Sequence, residues 1–536
     1  MKRHERFPDG ETGISVEKNE FIDLEDNDAL HCRLADLRKD DCRLRQLFDL
    51  KVLPSMMIVA LMFGIETTVF SYAVVFGRTE DLGLSETQFS WLNSAPHVPK
   101  ILLQFPIAWV LVDGFPLDKA APFLLSLCAT LFQFLAAAGV TGLMAARLTQ
   151  GLLDAFIVPS LVSMTQTYWT RVEQPLRMSC WFSMSGLATI VMSTWTYCLA
   201  STAYKGPDSL LILNCTGILF FVYLLWSFFS GASPMELKFL SDREKKIAYG
   251  LKRLSDRRNC DWSQKHVQHT KTDPKTWLWF GLIFCASLPV SGINSLSPLL
   301  LKSLDADPSR ALLNVPFGAA QIMAIMGSGL ATTRYRSGPV ISTLCLVSMT
   351  GFMILARALQ TPGSTRNSVL TGYYLIAAAY GVIPLIYNWS GANTAGVTKK
   401  KATAAFIFLG QSLGNVCGPL LFTPSSGQIL GTRGLWTTVT SYCCIIVLAA
   451  ATSIHLRSLN EDHARRCEAQ GKKVEVPFGC NNRLDSVLDV ELMQRPEASI
   501  LQADEADDGY GLPYLFRPRI YEGLTDLEDE EFFFTL

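Results

Sequence analysis

The chain is 536 residues long, 49% of them hydrophobic and 18% charged, with a net charge of −1. That balance gives no sign of a nucleic-acid partner. The length would suit several soluble domains, but the apolar residues exclude them: they gather into about twelve stretches of about twenty, each enough at 1.5 Å rise to cross a bilayer core.

Residues 1–50 come first, a polar and charged tail without a cleavable signal peptide. The first span behind it is the expected targeting signal. Spans are predicted at 52–76, 91–112, 120–140, 143–168, 180–200 and 210–231, then at 276–300, 311–332, 339–357, 369–388, 402–422 and 435–456. Pro96, His97, Pro99 and Lys100 interrupt the second. A charged loop, 232–275, divides the spans six and six. The fold class is therefore an all-α membrane protein, twelve transmembrane helices in two six-helix bundles at 51–231 and 276–456. Paired halves of this kind point to a transporter. Residues 457–536 form a hydrophilic, acidic tail, expected to be mostly disordered between about 460 and 520.

Lys and Arg set the orientation. Loops on the side of the amino-terminal tail, the central loop among them, hold 19 of these residues and the opposite loops hold 7. Both tails and the central loop are thus expected in the cytoplasm. Ser241 to Glu244 reads as a capping box that opens a helix in the central loop. The basic run from Lys245 to Arg258 follows, as a solvated face beside anionic lipid or as a docking site. Of the fourteen cysteines most sit in apolar stretches, where a thiol acts as a small hydrophobe, and none shows zinc spacing. No Walker A string, catalytic constellation or cofactor motif occurs. The chain reads as no enzyme, without cofactor or metal, and powered by an ion gradient.

Several strings are more specific than hydropathy. Asp81-Leu82-Gly83-Leu84-Ser85-Glu86-Thr87-Gln88-Phe89-Ser90-Trp91 lies in the first external loop. Arg147-Leu148-Thr149-Gln150-Gly151-Leu152-Leu153-Asp154-Ala155 lies in the fourth span. Asp273-Pro274-Lys275-Thr276-Trp277 opens the seventh, and Gly410, Gly414-Asn415 and Gly418-Pro419 mark the eleventh. With these strings the chain resembles the major facilitator superfamily, and within it the fungal anion:cation symporters, the branch of allantoate and nicotinate permeases. The resemblance covers about residues 48–460 and an ending from Leu524 to Phe532. It implies alternating access, a small organic anion as substrate, and protons as the coupling ion. It also implies a gating role for Asp113, at the loop position of the superfamily's gating motif. One departure concerns charge. Where the family's first helix reads Leu-Asp-Lys-Thr, this chain has Ile65-Glu66-Thr67-Thr68, without the Lys, and a basic group stands instead at Lys100 in the second helix.

A charge at mid-bilayer costs at least ~2.5–3.5 kcal/mol, so each needs a reason. Glu66 and Lys100 fall near the middle of neighbouring antiparallel helices and are expected to meet at similar depth. Either Glu66 carries a coupling proton while Lys100 attracts an anion, or the two form a structural pair with Lys100 reaching for the interface. Arg147 and Asp154 are about two turns apart and share a helix face. They line the central cavity if that face points inward; otherwise Arg147 holds a backbone carbonyl and Asp154 locks the gate loop. In the second half the amides Asn294, Gln321, Asn388, Asn393, Gln411 and Asn415 suit either orientation of a polar substrate or interhelical hydrogen bonds. Gly410, Gly414 and Gly418 recur every four residues, the pattern of close helix packing. His97 is either a proton relay or a cap for the broken helix. The sequons at Asn214 and Asn388 fall at membrane edges and are not expected to be glycosylated.

The leading reading is a secondary active transporter that takes up a small organic anion with protons across the plasma membrane. Two alternatives stand beside it: an exporter of a fungal metabolite with the same fold, and a receptor that kept the fold and lost transport.

Overall fold

The computed structural model describes residue 39 and residues 42–68, 85–112, 139–201, 263–304, 308–361, 365–422 and 432–469. Residues 120–138 of the third predicted span, the predicted span 210–231, Asp113, Asn214, the helix expected after Ser241 and most of both tails lie outside these residues.

All regular structure among the described residues is helical. The first half comprises α1 (Cys42–Thr68), α2 (Glu86–Ser94), α3 (His97–Val112), α4 (Gly139–Asp154), α5 (Ile157–Tyr168), α6 (Gln174–Phe182) and α7 (Met184–Ser201). A short central-loop helix, α8 (Gln264–Thr272), precedes the second half. That half runs through α9 (Pro274–Leu304), a 3-10 turn (Pro308–Leu313), α10 (Asn314–Thr332), α11 (Ser337–Gln360) and α12 (Arg366–Ile376). A 3-10 segment (Ala377–Gly381), α13 (Val382–Ala392), α14 (Val397–Leu421) and α15 (Thr432–Ala469) complete it.

Eight helical runs among the described residues are long and apolar enough to cross a membrane. They match predicted spans one, four and seven to twelve. Spans two and five are present as α2–α3 and α6–α7, each interrupted. The outer faces are apolar, with Leu102, Trp109, Met323, Trp436 and Val447 exposed. Lipid solvates such a face; water would not leave it bare. The last helix departs from expectation, since α15 continues to Ala469 rather than stopping at 456. Leu459 still packs on the core there, and Asp462 and Arg465 pair at 3.9 Å one turn apart.

Local chemistry explains the interruptions. α2 opens on a capping box, in which the Gln88 N–H donates to Ser85 Oγ at 3.3 Å and the Ser85 N–H donates to Gln88 Oε1 at 3.0 Å. The span stops at Ala95–Pro96 and restarts at His97, with Pro99 in the new first turn, where its missing N–H costs nothing. Gly151 of α4 backs onto this break. A Cβ on Gly151 would sit 1.9 Å from the Pro96 carbonyl oxygen, so only glycine lets the two helices touch. α4 itself ends at Asp154, and the helix resumes at Ile157 as α5, with Pro159 in its first turn. Two broken helices therefore lie break against break.

In the second half α9 packs along α14. Cβ atoms on Gly410, Gly414 and Gly418 would meet the carbonyl oxygens of Phe280, Phe284 and Leu288 at 3.0, 2.7 and 2.7 Å. The expected close packing is thus present, turn by turn. At the central-loop end each half carries a similar clamp. Asp49 of α1 accepts from Arg177 of α6 at 2.7 and 3.2 Å and from Trp169 Nε1 at 2.8 Å. Asp273, just before α9, meets Lys399 of α14 at 2.8 Å and Lys275 at 3.8 Å. Each half thus ties the start of its first span to the start of its fifth with a carboxylate on one and a cation on the other. Burial raises the Asp273 carboxyl, but Lys275 and Lys399 outweigh it and hold the group below the usual carboxylate range.

Candidate functional site

The two halves enclose a cavity of about 330 Å³. That is the small end of the range for small-molecule sites. Polar side chains reach it as stripes at helical spacing. Asn93, His97, Lys100 and Gln104 come from α2–α3, and Arg147, Gln150 and Asp154 from α4. Facing them, α9 offers Ser291, Asn294 and Ser295, while α14 offers Gln411, Ser412 and Asn415. Gln321 of α10 and Tyr380 of the 3-10 segment complete the second-half wall.

The charges cluster on the first half. Lys100 Nζ lies 3.6 Å from Asp154 Oδ2, with the Lys side chain 13% exposed and the Asp side chain 1%. The same ammonium stands 5.6 Å over the Phe63 ring, within cation–π range. Arg147 donates to Gln150 Oε1 at 2.9 Å, which aims a second cation along the same wall. Among the described residues the cavity therefore holds two cations, one carboxylate and one imidazole. The charges that line it are net positive.

Hydrogen bonds prepare the opposite wall. The Tyr380 hydroxyl donates to Asn294 Oδ1, and the Tyr387 hydroxyl to Gln411 Oε1. Thr189 of α7 donates to Gln321 Oε1 at 3.3 Å, across the two halves. On the side away from the central loop, Asn93 donates to Ser295 Oγ at 3.0 Å and Ser94 to the Val416 carbonyl at 2.9 Å. On the central-loop side, Lys401 donates to Ser163 Oγ. Phe182 stacks on Tyr387 there at 6.0 Å. The halves meet on both sides of the cavity.

The residues singled out from the sequence divide accordingly. Lys100, Arg147, Asp154, Asn294, Gln321 and Gln411 all face the cavity. Glu66 is buried, but on a face of α1 that is not among the lining; Phe63 and Thr67 of that helix are. The expected meeting of Lys100 with Glu66 is thus replaced by one with Asp154. The side-by-side breaks at Pro96 and Asp154, held together by Gly151, bring those two charges to the same level. Asp154 sits in the cavity wall. Asn388 is buried in α13 and does not line the cavity, and its Oδ1 has no hydrogen-bond partner among the described residues. Its burial also leaves the Asn388 sequon out of reach. Asp113 lies outside the described residues.

Two groups of lining residues escaped the sequence reading. Asn93, Gln104 and Gln150 extend the stripes of Lys100 and Arg147 at intervals of three and four, a signal that was present in the spacing. Trp181, Phe182 and Phe408 also line the cavity. Nothing in their positions separates them from Trp109 or Trp436, which face outward.

Comparison with known proteins completes the picture. The family model of the Major Facilitator Superfamily matches residues 56–419. The chain belongs to that superfamily. An uncharacterized transporter of Schizosaccharomyces pombe is 26% identical to this facilitator over 453 residues, 83% of this chain and 84% of the relative. The allantoate permease of Saccharomyces cerevisiae is 24% identical over 407 residues, covering 72% and 74%. These relatives agree with the fungal permease branch indicated by the sequence strings. Among solved structures, the facilitator FucP in its outward conformation superposes with a TM-score of 0.52 at 12% identity, over 74% of this chain and 98% of FucP. That likeness shows the facilitator fold.

Proposed function

We propose that this facilitator carries a small organic anion together with a proton, with Lys100 and Arg147 binding the anion and Asp154 taking the proton. One juxtaposition supports the reading: the cavity's single described carboxylate is the counter-ion of its lysine, 3.6 Å away. An arriving carboxylate competes with Asp154 for that ammonium. A carboxylate stripped of its counter-ion in a water-poor site takes up a proton. Anion and proton then favour each other's binding, which is the linkage that symport requires. Asn294, Gln321 and Gln411 orient the uncharged part of the guest. The proton role expected for Glu66 passes to Asp154, since Glu66 lies off the cavity wall. The similarity to an allantoate permease supports an anionic metabolite as cargo. The Lys/Arg bias supports cytoplasmic tails and central loop, and the plasma membrane is the proposed location.

The test is transport by purified protein in liposomes under an imposed pH gradient. Radiolabelled small carboxylates and their neutral amides are offered side by side. The reading requires gradient-driven accumulation of a carboxylate, abolished by a protonophore, with the matching amide ignored. Equal handling of amides and carboxylates would sink it.

A further inference from the structure

Towards the central loop, a second compartment of about 10 Å³ lies among α3, α5 and α14. It has room for about one water. Gln104, Pro159 and Phe408 line both it and the main cavity, so one layer of side chains separates the two. Lys401 enters this compartment from α14. It is 9% exposed, and its Nζ donates to Ser163 Oγ of α5 in the other half. An ammonium buried in the first turns of a helix at the membrane edge is costly, and such groups are kept where they act.

The surrounding seam is closely packed. A Cβ on Gly391 would sit 2.5 Å from Gln166 Nε2, and one on Gly329 would sit 2.2 Å from Ser179 Oγ. Phe182 stacks on Tyr387 across the same seam, with an interplanar angle of 19°. These contacts are packing, with no fixed direction. The bond from Lys401 to Ser163 is directional and charge-assisted, and such a bond has discrete made and broken states.

We propose that Lys401 and Ser163 form the latch that holds the two halves shut on the central-loop side. Gln104 stands between latch and guest: it is 3% exposed, one turn from Lys100, and its Oε1 has no hydrogen-bond partner among the described residues. A guest that engages the cavity wall is thus one side chain away from the latch. The proposal rests on transport between two halves, which membership of the superfamily carries, and not on the anion or proton reading above.

The test needs no substrate. Hydrogen–deuterium exchange is measured on the full-length protein in lipid nanodiscs. Segments 157–168 and 397–405 report on the latched side, and segments 86–94 and 414–421 on the opposite side. Ser163→Ala and Lys401→Met should each speed exchange on the latched side about tenfold, the scale of one charged hydrogen bond. The opposite side should be unchanged or slower. Ser163→Thr, which keeps the hydroxyl, should exchange as the parent does. Equal acceleration on both sides would make Lys401 a general structural support and overturn the latch. So would an unchanged Ser163→Ala, or a Ser163→Thr as fast as Ser163→Ala.

Discussion

Lys100 and Asp154 are the side chains whose loss the transport cycle should feel in different ways. Lys100→Met keeps the stem and removes the ammonium, so apparent anion affinity should fall about 10- to 100-fold, the scale of one charged hydrogen bond. Competition uptake measures this directly. Asp154→Asn should preserve exchange of anion for anion and lose accumulation driven by a pH gradient, because the amide cannot carry the proton. Counterflow and gradient-driven uptake, run on the same liposomes, separate the two. Asp273 makes a third case, outside the cavity. Its pKa is lowered in the folded state, so its contribution to stability is present above the unfolded value, about 3.9, and is lost as pH falls through the lower folded value. Thermal melts of parent and Asp273→Asn in detergent should therefore differ at neutral pH and converge only well below about pH 4. The charged members of the site were legible in the sequence because a charge inside an apolar run needs a reason. Trp181 and Phe408 were not, because an aromatic ring is equally at home against lipid and against a guest.

At the scale of the helix, the breaks were legible and their consequence was not. Pro96 and Pro99 announced an interrupted second span, yet the partner of Lys100 depended on where the break lay against α4. Gly151 decides that, and its role is a matter of space rather than of chemistry. Gly151→Ala would force its methyl against the Pro96 carbonyl, 1.9 Å away, and so push α3 from α4. Overpacking of this kind costs about 1–3 kcal/mol, and here it also separates Lys100 from Asp154. Transport should be lost while much of the protein still reaches the membrane. Gly327 of α10 supplies the control, since nothing lies within 4 Å of its would-be Cβ. Gly327→Ala should leave transport unchanged. A pair of uptake curves normalised to surface protein checks both. The course of α15 was misjudged for a related reason: hydropathy marks where lipid ends, and a helix held by Leu459 need not end there.

For the whole molecule, the six-plus-six division was legible from the apolar runs and the charged central loop alone. Reporter fusions at residue 255 and at the carboxyl terminus should both read cytoplasmic, as the 19 to 7 excess of Lys and Arg requires. An external signal from either would reverse the assignment of the latched side. The matched clamps, Asp49 with Arg177 and Asp273 with Lys399, bear on how such a chain is made. Each is completed within its own half, so neither waits for the other half to be synthesised. The clamp of the first half can therefore form in the bilayer before the second half exists. Two separate genes, encoding residues 1–255 and 256–536, should then yield a working carrier when expressed together and none when expressed singly.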